Sequence, residues 1–223
     1  AFLEIFFSID NINKIYTLKH LLSFLIFLIS SIFFYKLLLS RYNFFLSFVG
    51  VAIFIFSPRI FGDSFLYKDV LFLSFITINI YYFKKSINIF NYRNIILLSL
   101  FSSLSVNLRF FAIIIPILFI FTSFIKKNNL NNITDYCKKI SFYILFFIFF
   151  LIIFWPYLWS DPLNNFLNLF KNLSRDLVDV KILYNNEFIS NRLLPNTYIL
   201  NWIAITTPVL QFISFFLGFI FCF

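Results

Sequence analysis

Methionine is absent from this 223-residue chain, and glycine, cysteine and histidine nearly so, at three, two and one residues. Three glycines make no Gly-rich loop that could bring backbone amides against phosphates, so a bound nucleotide is not expected. Cys137 and Cys222 each lack a second cysteine nearby, which excludes a disulfide framework and a cysteine metal motif. A lone histidine, His20, reads as a structural polar group. Charge is also sparse: 12% of residues are Asp, Glu, Lys or Arg, against roughly a quarter in soluble domains. The nine acids are outnumbered two to one by 18 bases. None of the nine falls in the middle of an apolar stretch, which argues against a proton- or ion-coupled transporter with carboxylates at mid-membrane depth.

What is present is apolar bulk. Hydrophobic residues make up 61% of the chain, with 39 Phe and a mean hydropathy of +0.93. Such a chain has too little polar surface to cover a water-soluble fold. That excludes a cytosolic enzyme, a disordered protein and a nucleic-acid-binding module, despite a pI near 9.6. Only helices and closed barrels satisfy backbone hydrogen bonds in lipid, and a barrel needs alternating residues. The runs here are continuous, as in FLIFLISSIFF, so the expected fold is all-α, a polytopic transmembrane helical bundle. The Phe, Ile, Asn and Lys excess fits an A·T-rich coding sequence, and Phe abundance is not read as function. A start at Ala1 and a stop within LGFIFCF read as an internal piece of a longer membrane protein, treated as a single transmembrane domain over residues 1–223.

Seven apolar stretches are expected as membrane segments: Leu21–Leu39, Phe44–Phe56, Val70–Phe83, Ile95–Val106, Phe110–Ile125, Ile140–Phe154 and Trp202–Phe221. Several fall short of the about 20 residues of a straight span. The connections after the first, third and fifth stretches hold nine cations (Lys36, Arg41, Lys84, Lys85, Arg93, Lys126, Lys127, Lys138 and Lys139) against one acid, Asp135. Short basic loops stay in the cytoplasm, so residues 1–19, 57–69 and 155–201 are expected on the outer face. The fourth and fifth stretches are expected to form a tight hairpin around Asn107, Leu108 and Arg109, partly re-entrant because each is short.

The outer segment 155–201 opens with WPYLWSDP. Asp161 followed by Pro162 is a helix-start signature. Leu163, Phe166, Leu167, Phe170, Leu173 and Leu177 then recur at helical spacing, which predicts a juxtamembrane amphipathic helix on the outer leaflet. The shorter outer loop, SPRIFGDSFLYKDV, places Arg59, Asp63, Lys68 and Asp69 at a membrane edge. Asp69 suits the N-cap of a helix starting at Val70, alone or while also facing a site. Arg59 and Lys68 could equally snorkel to lipid phosphates. Arg109, in VNLRFF, either snorkels or, below the surface at the tip of a short hairpin, requires an anionic partner such as phosphate.

The segments LKHLLSFLIFL, SPRIFGDSFLYKDVLF, SVNLRFFAIIIP, WPYLWSDPLNNF and LLPNTYILNWIAITTPVL, in that order, resemble the membrane glycosyltransferases of family 39. These are GT-C enzymes that include protein O-mannosyltransferases and lipid A aminoarabinose transferases. The resemblance covers most of the chain. It implies an enzyme in the bacterial inner membrane with its active face outward. Such an enzyme moves one sugar, with inversion, from a polyprenyl-phosphate carrier to a glycan, lipid or protein acceptor. It also implies that the main catalytic acid lies in an outer loop upstream of Ala1. Residue by residue, Asp69 matches the acid at the loop-to-helix junction and is the catalytic candidate. Lys68 matches the basic residue before it, and Arg109 the basic residue after the fourth helix. Arg59, Lys68, Arg109, Trp159 and Asp161 are the substrate-binding candidates, and Asp63 has no firm counterpart. The acids form no recognisable ligand set, so neither metal nor cofactor is expected. The competing expectations are a solute or lipid transporter without transferase chemistry, and a non-catalytic membrane scaffold.

Overall fold

The computed structural model describes residues 12–65, 68–88, 91–125, 133–173, 181–184 and 187–222. It is predominantly helical and divides into two compact units, residues 1–160 and 161–223.

The first unit holds α1 (Ile12–Leu39), α2 (Phe44–Phe56), α3 (Pro58–Asp63), α4 (Asp69–Asn88) and α5 (Tyr92–Leu108). A single 3₁₀ turn (Phe110–Ile113) follows, then α6 (Ile114–Ile125), α7 (Ile133–Phe154) and a short 3₁₀ turn at Pro156–Leu158. Helix ends follow local chemistry. Asn43 caps α2 by accepting from the Leu46 amide at 3.0 Å. Ser57, held extended before Pro58, stops α2, and Pro58 opens α3 at its first position. Asn91 caps α5 through the Arg93 amide at 3.0 Å. At Gly50 of α2 an added Cβ would lie 2.7 Å from Leu38 Cδ1, so the missing side chain allows α1 and α2 to approach closely.

α5 is central, packed between α4 and α7, and α4 also packs on α1. Ring contacts fix directions. Phe33 of α1 meets Tyr81 and Tyr82 near the end of α4, and His20 near the start of α1 meets Phe65 just before α4, so these helices run parallel. Tyr92 at the start of α5 meets Phe142 near the middle of α7 at 4.9 Å, and Asn107 at the end of α5 meets Phe154 at the end of α7, so α5 and α7 run parallel to one another. Asp69 at the start of α4 meets Arg109 after α5, so the two pairs are antiparallel. The unit therefore has two distinct ends. One gathers His20, Phe65, Asp69, Asn107, Arg109 and Phe154. The other gathers Lys36, Lys84, Lys85, Arg93 and Lys139.

The interior is inverted relative to a water-soluble protein. Among the described residues 17 polar or charged side chains are buried against 11 hydrophobic ones, and 13 of the 17 are serine. Phe44, Phe45, Phe56, Phe111, Leu145 and Phe149 are exposed. In lipid, apolar burial drives nothing, and helices approach through small residues and hydrogen bonds instead. Several of the serines return their hydroxyls to carbonyls three or four residues back, as Ser30 does to Phe27 at 2.8 Å and Ser105 to Phe101 at 2.8 Å, whereas Ser47, Ser74, Ser86 and Ser123 show no hydrogen-bond partner among the described residues. A small apolar cluster, Ile95, Leu98, Phe119 and Tyr143, is roofed by Lys139, whose Nζ lies 5.5 Å from the Phe119 ring centre.

The second unit contains α8 (Pro162–Leu173), β1 (Lys181–Tyr184), β2 (Glu187–Ser190), a 3₁₀ turn (Asn191–Leu193), α9 (Tyr198–Thr206) and α10 (Val209–Cys222). β1 and β2 form an antiparallel hairpin with Lys181 opposite Ser190 and Tyr184 opposite Glu187. Asn201 donates to the Tyr184 hydroxyl at 2.7 Å, tying the hairpin to α9.

Among the described residues three helices are long and apolar enough to cross a membrane, Asn13–Leu39, Asp69–Ile87 and Cys137–Phe154, and the bent pair Tyr198–Thr206 and Gln211–Ile220 makes a fourth if it is taken as one span. The three contain the first, third and sixth expected stretches, and they fit a multi-pass membrane protein. The other four of the seven expected stretches form shorter or broken helices. Phe44–Phe56 has 13 residues, and Phe110–Ile125 is a shorter apolar helix that opens as 3₁₀. The fourth stretch lies in the 17-residue, serine-rich α5. The stretch Trp202–Phe221 is not one helix but two, bent by 109° at Thr207–Pro208. Pro208 has no amide proton to continue the ladder and forces Thr207 into extended backbone. The helix expected from Asp161 is present as α8 up to Leu173, and its expected continuation to Leu177 lies outside the described residues. The hairpin β1–β2 was not among the sequence expectations. Its signal is the pair of short β-prone runs KILY and EFIS around Asn185–Asn186.

Candidate functional site

The site is built at the end of the first unit where α4 begins and α5 stops. The serine-rich face of α5 lets α4 pack closely alongside, which brings residues 69 and 109 together across 40 positions of sequence. Asp69 is the first residue of α4 rather than its cap, because the helix starts one residue earlier than expected. A carboxylate there is stabilised by the positive end of the helix. Arg109 occupies an extended backbone position (φ −141°, ψ 112°) between α5 and the 3₁₀ turn. Its amide still closes the last turn of α5 on Ser105 at 3.0 Å, and its carbonyl accepts from Ala112 at 2.9 Å. The chain reverses there, as expected, and Pro116 falls in the first turn of α6, where its missing amide proton costs nothing. The guanidinium of Arg109 donates from Nη2 to Oδ1 of Asp69, forming an ion pair. Both partners remain open to solvent, Arg109 at 48% and Asp69 at 67%.

Two further polar contacts close the same end. Asn107 donates to the carbonyl of Phe154, satisfying one of the otherwise unpaired carbonyls at the end of α7. His20 donates from Nδ1 to the Phe65 carbonyl; a carbonyl can only accept, so this nitrogen carries the proton. Both roles are structural, as the sequence suggested for His20.

An apolar groove of about 370 Å³ starts at Phe72, one turn after Asp69, and at Phe111, two residues after Arg109; neither charged side chain lines it. One wall is a stripe of α4 (Phe72, Ile76, Ile80 and Phe83), and the other comes from Phe111, Ile115 and Leu118 after the reversal. Asp69 stands three residues before Phe72, so charge and stripe share one helix face. Asn79 lines the groove and is also 1% exposed. It donates to Ser105 Oγ at 2.9 Å and accepts from Ser102 Oγ at 3.1 Å, while Ser102 accepts from the Tyr143 hydroxyl at 3.1 Å. This network joins α4, α5 and α7 in mid-helix, and the sequence reading missed it. Its signal was a lone Asn in ITINIYY and the serine spacing of SLFSSLSVN.

The other expected residues are more scattered. Arg59 lies exposed on α3 and Asp63 closes that helix, half-buried. Lys68 is exposed beside Asp69 in the chain and joins neither Asp69 nor Arg109 in a hydrogen bond or ion pair. Trp159 is exposed and donates its indole N–H to the Ile152 carbonyl at 2.7 Å. Asp161, in the second unit, caps α8: its carboxylate accepts from the Asn164 amide at 3.3 Å and from Asn164 Nδ2 at 2.7 Å. Among the described residues no three His, Cys, Asp or Glu side chains are grouped closely enough to hold a metal ion. Compared with known proteins, the chain matches no family model, no curated protein and no solved structure.

Proposed function

We propose that this chain belongs to an integral-membrane glycosyltransferase of the GT-C type, transferring a sugar from a polyprenyl-phosphate carrier to an acceptor hydroxyl on the outer face. The observation that carries the reading is the Asp69–Arg109 pair standing at the head of the apolar groove. A polyprenyl phosphate has that same division, an anionic head on a long apolar tail. In this reading the tail lies along Phe72, Ile76, Ile80 and Phe83, and Arg109 receives the phosphate, with Lys68 and Arg59 adding positive charge nearby. The acceptor oxygen bonds to the anomeric carbon as the bond from that carbon to the phosphate oxygen breaks. The phosphate keeps the electron pair, and a carboxylate takes the acceptor's proton. Asp69 is the carboxylate at hand, and Arg109 offsets the charge that grows on the leaving phosphate. The basic end faces the cytoplasm, and the amphipathic α8 lies on the outer leaflet.

The test is transfer by the reconstituted full-length protein from a panel of polyprenyl-phosphate sugars. Arg109→Ala should lower the rate about 30- to 1000-fold, on the order of 2–4 kcal/mol of lost charge-assisted hydrogen bonding. Arg109→Lys should recover only part, since a point charge lacks the guanidinium fork. Near-normal transfer by Arg109→Ala refutes the assignment. Orientation is checked by thiol labelling from outside, which should reach Asn185→Cys and not Asn128→Cys.

A transporter is the second reading. The mid-helix network around Asn79 and the break at Pro208 favour it, because transporters place polar groups and broken helices at membrane depth. Movement of a lipid-linked sugar across the vesicle, with no transfer, supports that reading instead.

A further inference from the structure

The end of the first unit opposite the ion pair carries its own cleft, of about 290 Å³, between α1, α4 and α5. Three cations from three helices line it: Lys36, Lys85 and Arg93. Tyr81, Asn91 and Asn94 add hydrogen-bonding groups, and no carboxylate contributes to the lining. Among the described residues none of the three cations has a carboxylate partner. Two of the ammonium groups sit over rings, Lys36 at 5.3 Å from the Phe33 centre and Lys85 at 5.9 Å from that of Tyr81.

The positions of these charges separate a site from a merely solvated basic face. Lys36 and Lys85 stand in the last turns of α1 and α4, where the helix dipole welcomes a cation. Arg93 stands in the first turn of α5, where the dipole is positive and opposes it. Its charge therefore adds to a positive helix end and to two neighbouring ammonium groups. Asn94, the next residue, is 5% exposed and lines the same cleft, which places a neutral hydrogen-bonding amide beside the three cations. An anion in the cleft offsets the three like charges and accepts from the Asn94 amide.

We propose that this cleft binds a phosphate group, with the Arg93 fork taking two oxygens and Lys36 and Lys85 acting as point charges. The shared chemistry fits either a phosphodiester lipid headgroup or a soluble phosphate. The inference does not depend on the glycosyl-transfer reading, whose residues lie at the other end.

The experiment uses the full chain in a neutral detergent, at constant ionic strength so that general screening is fixed. One arm measures retention of phosphatidylglycerol over phosphatidylcholine by native mass spectrometry. The other titrates inorganic phosphate against chloride by calorimetry. The variant Lys36→Gln/Lys85→Gln/Arg93→Gln should weaken whichever probe binds at least tenfold. Lys138→Gln, an exposed cation of α7 outside the cleft, should change it less than twofold. Asn94→Leu should also weaken binding. Retention of phosphatidylglycerol without phosphate binding identifies a headgroup, and saturable phosphate binding identifies a soluble source. If neither probe exceeds its control, the proposal fails. It also fails if the triple variant binds normally, or if Lys138→Gln loses as much. Circular dichroism checks that the variants fold. Should the triple variant not fold, Arg93→Gln alone should lose at least fivefold, and unchanged binding overturns the proposal.

Discussion

Replacing Asn79 by Leu tests whether the buried polar network, rather than apolar packing, holds α4, α5 and α7 together. The substitution nearly preserves side-chain shape while removing the donor to Ser105 and the acceptor from Ser102. The two neighbours respond differently. Ser105 keeps its own bond to the Phe101 carbonyl at 2.8 Å, so it is not orphaned. Ser102 still accepts from Tyr143 but loses the only acceptor for its proton shown among the described residues. Hydrogen bonds between membrane helices are worth about 0.6 kcal/mol each and about 1.7 at most. Two lost bonds therefore cost about 1–2 kcal/mol, with no hydrophobic gain to offset them in lipid. Reversible unfolding in mixed micelles, followed by far-UV circular dichroism, should show a loss of about 5- to 30-fold in the folding equilibrium. Tyr143→Phe removes one bond and leaves Ser102 short only of a donor, so about threefold is expected. Combining Asn79→Leu with Ser102→Ala should cost less than the sum, because the orphaned hydroxyl is gone. An unchanged or raised stability of Asn79→Leu, or strict additivity of positions 79 and 102, would refute the reasoning.

The Asp69–Arg109 pair should contribute little to stability because both side chains are about half or more exposed; in the same unfolding assay Asp69→Asn or Arg109→Gln should cost less than about 1 kcal/mol, and a larger loss would make the pair a structural clamp. Asp161→Ala removes the cap of α8 and should cost about 1 kcal/mol of local stability, read as faster amide exchange at Asn164; unchanged exchange there would show the cap to be dispensable. Pro208→Ala should straighten the α9–α10 break. Spin labels at Ile199 and Ile220 should move from about 18 Å apart toward the about 32 Å of a continuous helix, and a wild-type separation already near the longer value would contradict the bend.

The sequence made the class legible because membrane solvent leaves a compositional mark: long apolar runs fix helices whatever packs against them. Helix ends were legible where one residue decides them, as with Asp161 before Pro162 and the stop at Ser57–Pro58. Segment count was not legible from hydropathy alone. Apolar runs of 12–16 residues read the same whether they cross a membrane or pack part-way, and the serines of α5 lower its hydropathy because that helix is buried in protein. Pro208 marked the break in the last stretch, but its effect was overridden in the reading by the apolar run around it. The small hairpin depends on pairing between two four-residue runs, each too short to show a period by itself.

The candidate site divides in the same way. Asp69 and Arg109 were legible as charges at neighbouring outward helix ends, expected with Lys68 to face one cavity, but which of the two cations pairs with Asp69 depends on the register of α4 against α5. The mid-helix network escaped because Asn, Ser and Tyr carry no formal charge, although they alone satisfy one another across three helices. The contrast between the two polar groups bears on function. The network is buried and mutually satisfied, so it acts on stability and specifies packing. The ion pair is exposed and held at the worth of a surface contact, at most about 1 kcal/mol. Hydrogen bonds from Arg109 to a phosphate are charge-assisted and worth about 1.5–3 kcal/mol each. In the proposed reaction a phosphate competes with Asp69 for Arg109 through the same kind of charge-assisted bond, and loss of the exposed pair leaves the bundle intact. Where the phosphate prevails, the carboxylate is free at the moment the proposed reaction needs a proton acceptor.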